Sequence, residues 1–399
     1  MKAAYIPEGS GGHILSSLAL VKALVDQGVE VDYYAPESAR TQVEQAGAHF
    51  CPFPEVTECH SNPYMASEPF LAVIPLVFLG MAKECISVIM KGLERNKPDV
   101  ILSDALALAG RLAAWKLQLP LVMMFTSYAP SRHFSIFRTW PDFPDSPARE
   151  AAAQMALEFQ QEFGGKRLTP AEIFEGTGDW NICTLTRSFQ PDGESFGSHF
   201  FFAGAPIMQR SEECAWEPPV NGKPLLYTSL GSLFNHWPEF YKVLFAVVRE
   251  LDINVLCAVG RTLQPEELPP VPDNVTLMPF APQLKALEHA DWFITHAGTG
   301  SAMEALYYGV PCVCVPQMDE QVFTAERMKQ MGAVSRVILR HELTEEVLRE
   351  ALTELMCNPV YRQNAAALSL ETRQQGGCDR AARGVIDFVH THRNAVPSI

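Results

Sequence analysis

Apolar positions in the first part of the chain alternate between two periods. Lys2–Ile6 is an apolar run of strand length, and Ile14, Leu15, Leu18, Val21, Leu24 and Val25 then recur at helical spacing until Gly28 supplies a stop. Val29–Tyr34 returns to a strand pattern. Residues 97–104, Lys-Pro-Asp-Val-Ile-Leu-Ser-Asp, read as a buried strand leading into a helix that runs through Leu117. The alternation resumes with strands over Asn181–Thr186, Phe200–Ala203, Leu225–Leu230, Trp292–Thr295 and Val310–Val315. Helices are expected near 238–250, 301–308, 344–356 and 359–375. Strands alternating with helices predict the α/β class, with parallel sheets wrapped by helices.

Gly204–Lys223 carries Pro206, Pro218, Pro219 and mixed charges and reads as a linker, which places one domain over 1–204 and a second over 224–378. Residues 379–399 form an amphipathic tail through Ala382, Val385, Ile386 and Val389. A length of 399 residues exceeds what one core usually supports, which agrees with two domains. Net charge of −15 argues against nucleic acid or an anionic membrane as the main partner, because both demand a basic footprint.

Ten cysteines are scattered without a Cys-x-x-Cys pair or a Cys/His cluster at zinc spacing, and read as core thiols in a reducing cytosol. The closest pair, Cys312 and Cys314, is expected to point to opposite faces of its strand. No charged-then-apolar leader opens the chain, and the longest apolar run, Pro69–Ala82, is short for a bilayer and contains Pro75. The expectation is a cytoplasmic protein, monomeric or homodimeric. His390 and His392 lie close together, but no third ligand accompanies them, and a solvated helix end accounts for both.

Two strand-to-helix turns carry the candidate chemistry. Pro7-Glu-Gly-Ser-Gly-Gly-His13 has Ile14 where the dinucleotide fingerprint needs a third glycine, and Val29–Tyr34 ends in tyrosines instead of a ribose-binding acid. NAD binding is therefore disfavoured, and what the turn offers is His13 at the mouth of a helix. Asp104 falls at the same C-terminal sheet edge, whereas Asp99 falls at the opposite one. Spacing alone leaves Asp104 either as a partner to His13 or as the N-cap of a helix Ala105–Leu117. The second turn, His296-Ala-Gly-Thr-Gly-Ser301, follows a short strand and precedes a helix closed by Gly309. Small residues and free helical N–H groups there suit a phosphate. Around it, His296 and Ser301 can donate to a diphosphate, Glu304 can accept the vicinal hydroxyls of a ribose, and Phe280 offers a flat face to a base.

Read together, Phe280-Ala281-Pro-Gln283, His296-x-Gly298, Thr299, Gly300, Ser301-x-x-Glu304, Gly-Val-Pro and the pair Glu320-Gln321 resemble the nucleotide-sugar signature of family 1 glycosyltransferases, which include bacterial macrolide glucosyltransferases. The resemblance implies the GT-B architecture, two Rossmann-like domains facing across a deep cleft, with the C-terminal helix crossing back to the first domain. It implies inverting transfer of a hexose from a UDP-sugar, with His13 as general base, Asp104 as its supporting acid and Ser232 as a further diphosphate contact. Glu320 and Gln321 resemble the pair that reads glucose hydroxyls. Family proteins carry a proline where Ser16 stands here, a mild departure. No Asp-x-Asp motif occurs, so no metal ion or other cofactor is expected to bridge the diphosphate. In the family, the regions 53–96 and 126–178 cover the acceptor, which makes Phe70, Phe78, Phe134, Phe137 and Trp140 candidates for a hydrophobic acceptor wall. UDP-sugar 2-epimerases, which share the scaffold, TDP-deoxysugar antibiotic glycosyltransferases and a nucleotide-sugar-binding protein without turnover are the rival readings.

Overall fold

The computed structural model describes residues 1–9, 11–54, 64, 70–136, 146–165, 168–208, 216–231 and 235–395. The chain divides into two compact units, Met1–Pro206 with Gly376–Ile399, and Ile207–Gln375.

In the first unit the strands are β1 (Lys2–Ile6), β2 (Glu30–Ala35), β3 (His49–Pro52), β4 (Val100–Asp104), β5 (Leu121–Phe125), β6 (Trp180–Cys183) and β7 (Phe200–Phe202). They form a parallel sheet in the order β3-β2-β1-β4-β5-β6-β7. The chain starts in the middle, winds out to β3, and restarts at β4 on the other side of β1. The crevice at the C-terminal ends of β1 and β4 is therefore a topological switch point, where open α/β sheets expose their loops to a ligand. Helix Gly11–Asp26 leaves β1 at this crevice, and Asp104 ends β4 there.

One face of the sheet is sealed by a core of Ala4, Ile6, Ile101, Met123 and Phe125 against helices Phe70–Asn96, Leu108–Leu117 and Pro147–Phe163. Ser146 starts the last of these by accepting from Arg149 N, with Pro147 in the first turn, where its missing N–H is harmless. Helix Phe70–Asn96 corrects the expectation about the apolar run. The apolar pattern continues past Ala82, and residues 72–96 are long and apolar enough to cross a membrane. Val73, Leu79, Ile89 and Leu93 are nevertheless 0–1% exposed within the protein core. Pro75 lies in the second turn and removes one helical hydrogen bond without ending the helix.

Helix Gly377–Ala395 belongs to the first unit. Its Ala381, Ala382, Val385 and Val389 are fully buried, and Gln27 Nε2 donates to Asp379 O at 3.0 Å. Trp180 stacks on Phe388 and lies so close to Gly384 that a Cβ there would sit 2.5 Å from the indole.

The second unit repeats the plan with β8 (Leu225–Ser229), β9 (Asn254–Ala258), β10 (Val275–Met278), β11 (Trp292–Thr295), β12 (Cys312–Cys314) and β13 (Val334–Val337). The parallel order β10-β9-β8-β11-β12-β13 puts the switch point between β8 and β11. Some boundaries differ from expectation. β12 is shorter than Val310–Val315, and the helix after β11 starts at Thr299, not Ser301, because Gly298 already serves as its N-cap. Cys312 and Cys314, two apart on β12, share one face, since side chains alternate along a strand; both are fully buried.

Candidate active site

His13 sits in the first turn of helix Gly11–Asp26 with its side chain 25% exposed. Its Nδ1 lies 2.7 Å from Asp104 Oδ2 and 3.1 Å from Thr126 Oγ1. Asp104 is 1% exposed, and its other oxygen accepts from Leu106 N at 2.9 Å, which fixes the carboxylate plane. An ionised carboxylate only accepts, so the ring proton belongs on Nδ1 and the Nε2 lone pair points away from the carboxylate. Asp104 does not cap the following helix, which begins at Leu108 with Ala107 at the N-cap. The sequence left those two roles open; the contact decides for the partner. Thr126 was not anticipated, although its place directly after β5, at the same sheet edge, was a usable signal.

In the second unit, Gly231 follows β8 with φ +82°, and Ala297 follows β11 in the left-handed region at +61°, uncommon for a residue with a Cβ. His296 is wedged between the two turns. A Cβ at Gly231 would lie 2.6 Å, and one at Gly298 2.5 Å, from its Nε2, so both positions need glycine. Burial pushes the imidazole down to about 4, which keeps it neutral at pH 7. Its Nδ1 is buried and has no partner among the described residues. Helix Thr299–Tyr308 starts from Gly298, which has no side chain to cap it, so the first turn is left without a side-chain cap at its N-terminus.

Behind the turn, Gln283 joins three groups. Its Nε2 donates to Glu304 Oε2 and, at 3.1 Å, to Ser301 Oγ, while Tyr227 OH donates to its Oε1 at 3.2 Å. Glu304 is 5% exposed and is thereby held in one orientation at the helix. Thr299 Oγ1 donates to Glu320 Oε1 at 2.9 Å, which ties the turn to helix Asp319–Gln330. Gln321 Oε1 accepts from Gln317 N at 2.8 Å, and Gln317 Nε2 reaches Leu230 O at 3.4 Å, so Gln321 also braces the loop after β8. Gln317 had not been singled out from sequence. Phe280 is 44% exposed, with the Arg261 guanidinium 4.7 Å over its ring, and Ala281 lies beside it ahead of helix Gln283–His289.

The acceptor-wall candidates are less united. Phe78 meets Phe174 edge-on at 5.4 Å in the hydrophobic core, and Phe134 meets Tyr128 edge-on at 5.8 Å. Phe137, Trp140, the side chain of Phe70 and the nucleotide-side candidate Ser232 lie outside the described residues.

Two parallel-sheet Rossmann-like units, each with one of these turns at its switch point, make up the GT-B plan. The profile of the UDP-glucoronosyl and UDP-glucosyl transferases matches residues 213–396, and that of the glycosyltransferase family 28 N-terminal domain matches residues 6–128. The chain is 33% identical to the NDP-glycosyltransferase YjiC of Bacillus subtilis, over 97% of this chain and 96% of that one. With the enzyme of the same name from Bacillus licheniformis it shares 32%, over 95% of both. It belongs to the family 1 glycosyltransferases of GT-B fold and is a glycosyltransferase. The oleandomycin glycosyltransferase of Streptomyces antibioticus is 26% identical over 93% of this chain and 87% of its own. Among solved structures, the calicheamicin glycosyltransferase superposes with a TM-score of 0.84 at 27% identity, covering 100% of this chain and 99% of its own.

Proposed function

We propose that the protein transfers a hexose, glucose, with inversion from a UDP-sugar to a hydroxyl of a hydrophobic natural-product acceptor, with His13 as general base. The observation that carries the reading is the 2.7 Å contact between His13 Nδ1 and the buried Asp104, which makes Nε2 the proton acceptor. As the acceptor oxygen attacks the anomeric carbon from the face opposite the diphosphate, its proton passes to Nε2. The bond from that carbon to the leaving oxygen breaks, and UDP departs with the electron pair. Asp104 stabilises the imidazolium that forms.

Charge that grows on the leaving diphosphate is met by the N–H groups of residues 299–301 and by the neutral His296 ring. Glu304 takes the ribose hydroxyls, Phe280 the base, and Glu320 with Gln321 the sugar. The helix N-terminus supplies the positive potential that a bridging metal would otherwise provide, so transfer is expected to proceed in EDTA. The names of the oleandomycin and calicheamicin relatives support a natural-product acceptor. A reducing cytoplasmic location is part of this reading, supported by eight free cysteines among the described residues.

The test is mass spectrometry of UDP-glucose with phenolic and macrolide acceptors, in EDTA. A product heavier by one hexose supports the proposal. A converted sugar nucleotide without acceptor would favour an epimerase, and turnover of TDP-sugars alone would reassign the donor. His13→Ala should abolish transfer while leaving UDP affinity nearly unchanged. Glu304→Ala should weaken UDP by roughly 1–3 kcal/mol, the cost of an unpaired buried contact.

A further inference from the structure

Asp32 on β2 and His49 and Cys51 on β3 present a carboxylate oxygen, an imidazole nitrogen and a thiol sulfur within 4.8 Å of one another. Asp32 and His49 are register partners, and Cys51 lies two residues beyond His49 on the same face of the strand. Sequence spacing could not show the set, because seventeen residues separate Asp32 from His49.

The distances suit a metal. His49 Nδ1 is 3.0 Å from Asp32 Oδ1 and 3.5 Å from Cys51 Sγ. Tetrahedral zinc, with bonds of about 2.3 Å to sulfur and about 2.0 Å to nitrogen and oxygen, holds sulfur and nitrogen roughly 3.5 Å apart and nitrogen and oxygen roughly 3.3 Å apart. Two of the three separations are thus close to those of a zinc site, and a cation there takes the place of the hydrogen bond between His49 and Asp32.

The surroundings prepare the carboxylate. Asn96 Nδ2 donates to Asp32 Oδ2 at 2.8 Å, and Lys2 Nζ lies 3.4 Å from the same atom. Both occupy the oxygen turned away from His49, so Oδ1 is left to ligate while its twin is held, the usual pattern behind metal-bound carboxylates. Asp32 and Cys51 are 4% and 6% exposed, whereas the His49 side chain is 67% exposed, leaving water an approach to a fourth position. Asn96 is also the last residue of helix Phe70–Asn96, whose negative dipole end favours a cation. Lys2 and Arg95 act against it and hold the affinity below that of a closed zinc site.

We infer that Asp32, His49 and Cys51 form a binding site for a thiophilic divalent cation of the zinc type, which pins the edge strand β3 to β2. It is separate from the transfer chemistry. β1 stands between β2 and β4, and Asp32 is level with Ala4 and Ile101, three residues short of Asp104. Binding exchanges the Cys51 proton, on a thiol that burial has pushed up to about 11, for the metal.

The experiment titrates Co²⁺ into the EDTA-treated, desalted full chain, followed by Zn²⁺ competition and thermal unfolding with and without Zn²⁺. The expected result is one Co²⁺ per chain with a near-ultraviolet thiolate charge-transfer band, displaced by Zn²⁺, and a Tm raised by several degrees. Cys51→Ser should abolish the band, and the exposed His49→Ala, which leaves the core intact, should lower affinity at least tenfold. Absence of the band, its survival in Cys51→Ser, or equal Zn²⁺ affinity in His49→Ala would overturn the site.

Discussion

Lowering the pH from 8 to 5 tests the state of His296 directly. Its folded value of about 4 lies below the ordinary histidine value of 6.5, so between the two the unfolded chain binds a proton that the folded chain refuses. The stability owed to the neutral ring is complete above about pH 6.5 and is lost as pH falls towards 4. For these two values, linkage gives a loss of about 2 kcal/mol at pH 5 and about 3 kcal/mol at pH 4. Because the residue as a whole keeps some solvent contact, these are upper values. Other groups titrate in the same range, so the measurement is a difference. Urea unfolding of the wild type and of His296→Asn is followed at both pH values, and the variant should lose about 2 kcal/mol less than the wild type. NMR of the His296 ring should show no titration down to pH 5. Parallel losses in the two proteins, or a ring titrating near pH 6.5, would refute the buried neutral imidazole and with it the neutral donor that the proposed function assigns to the turn after β11.

Asp104→Asn should keep the bond from Leu106 N but present an amide N–H₂ to His13 Nδ1, forcing the ring proton to Nε2; kcat should fall by roughly 10²–10⁴ with UDP affinity unchanged, read by steady-state kinetics beside calorimetry. Gly231→Ala should cost about 1–3 kcal/mol in the second unit, because it combines a left-handed φ with a Cβ 2.6 Å from the His296 ring, and denaturant unfolding checks it. Arg111 is fully buried, its guanidinium capping the carbonyls of Glu172 and Ile173; Arg111→Ala should destabilise the first unit by roughly 3 kcal/mol or more, and lysine should not rescue it, because one ammonium lacks the fork that reaches both oxygens.

The sequence by itself determined the α/β class, eight of the thirteen strands among the described residues and nearly all of the turn after β11. That part was legible because its chemistry is contiguous. Residues 280–321 hold a strand, a glycine turn and a helix in one stretch, and the turn residues name their own backbone geometry. Gly298 and Thr299 already contain the reason that the helix starts where it does. The sequence shows the apolar run Pro69–Ala82 but not the whole of helix Phe70–Asn96, because polar residues from Lys83 onward interrupt the run while the buried stripe continues at helical period. Tertiary structure alone decided what distant segments do to one another. It made Asp104 a partner to His13 and not a cap, added Thr126 to the same ring, closed His296 between two glycines sixty-odd residues apart, and set Asp32 against His49 and Cys51. Periodicity records which face of an element is buried, but not which strand becomes its neighbour. The order of strands at each switch point is fixed only when the sheet assembles, and that order places the chemistry.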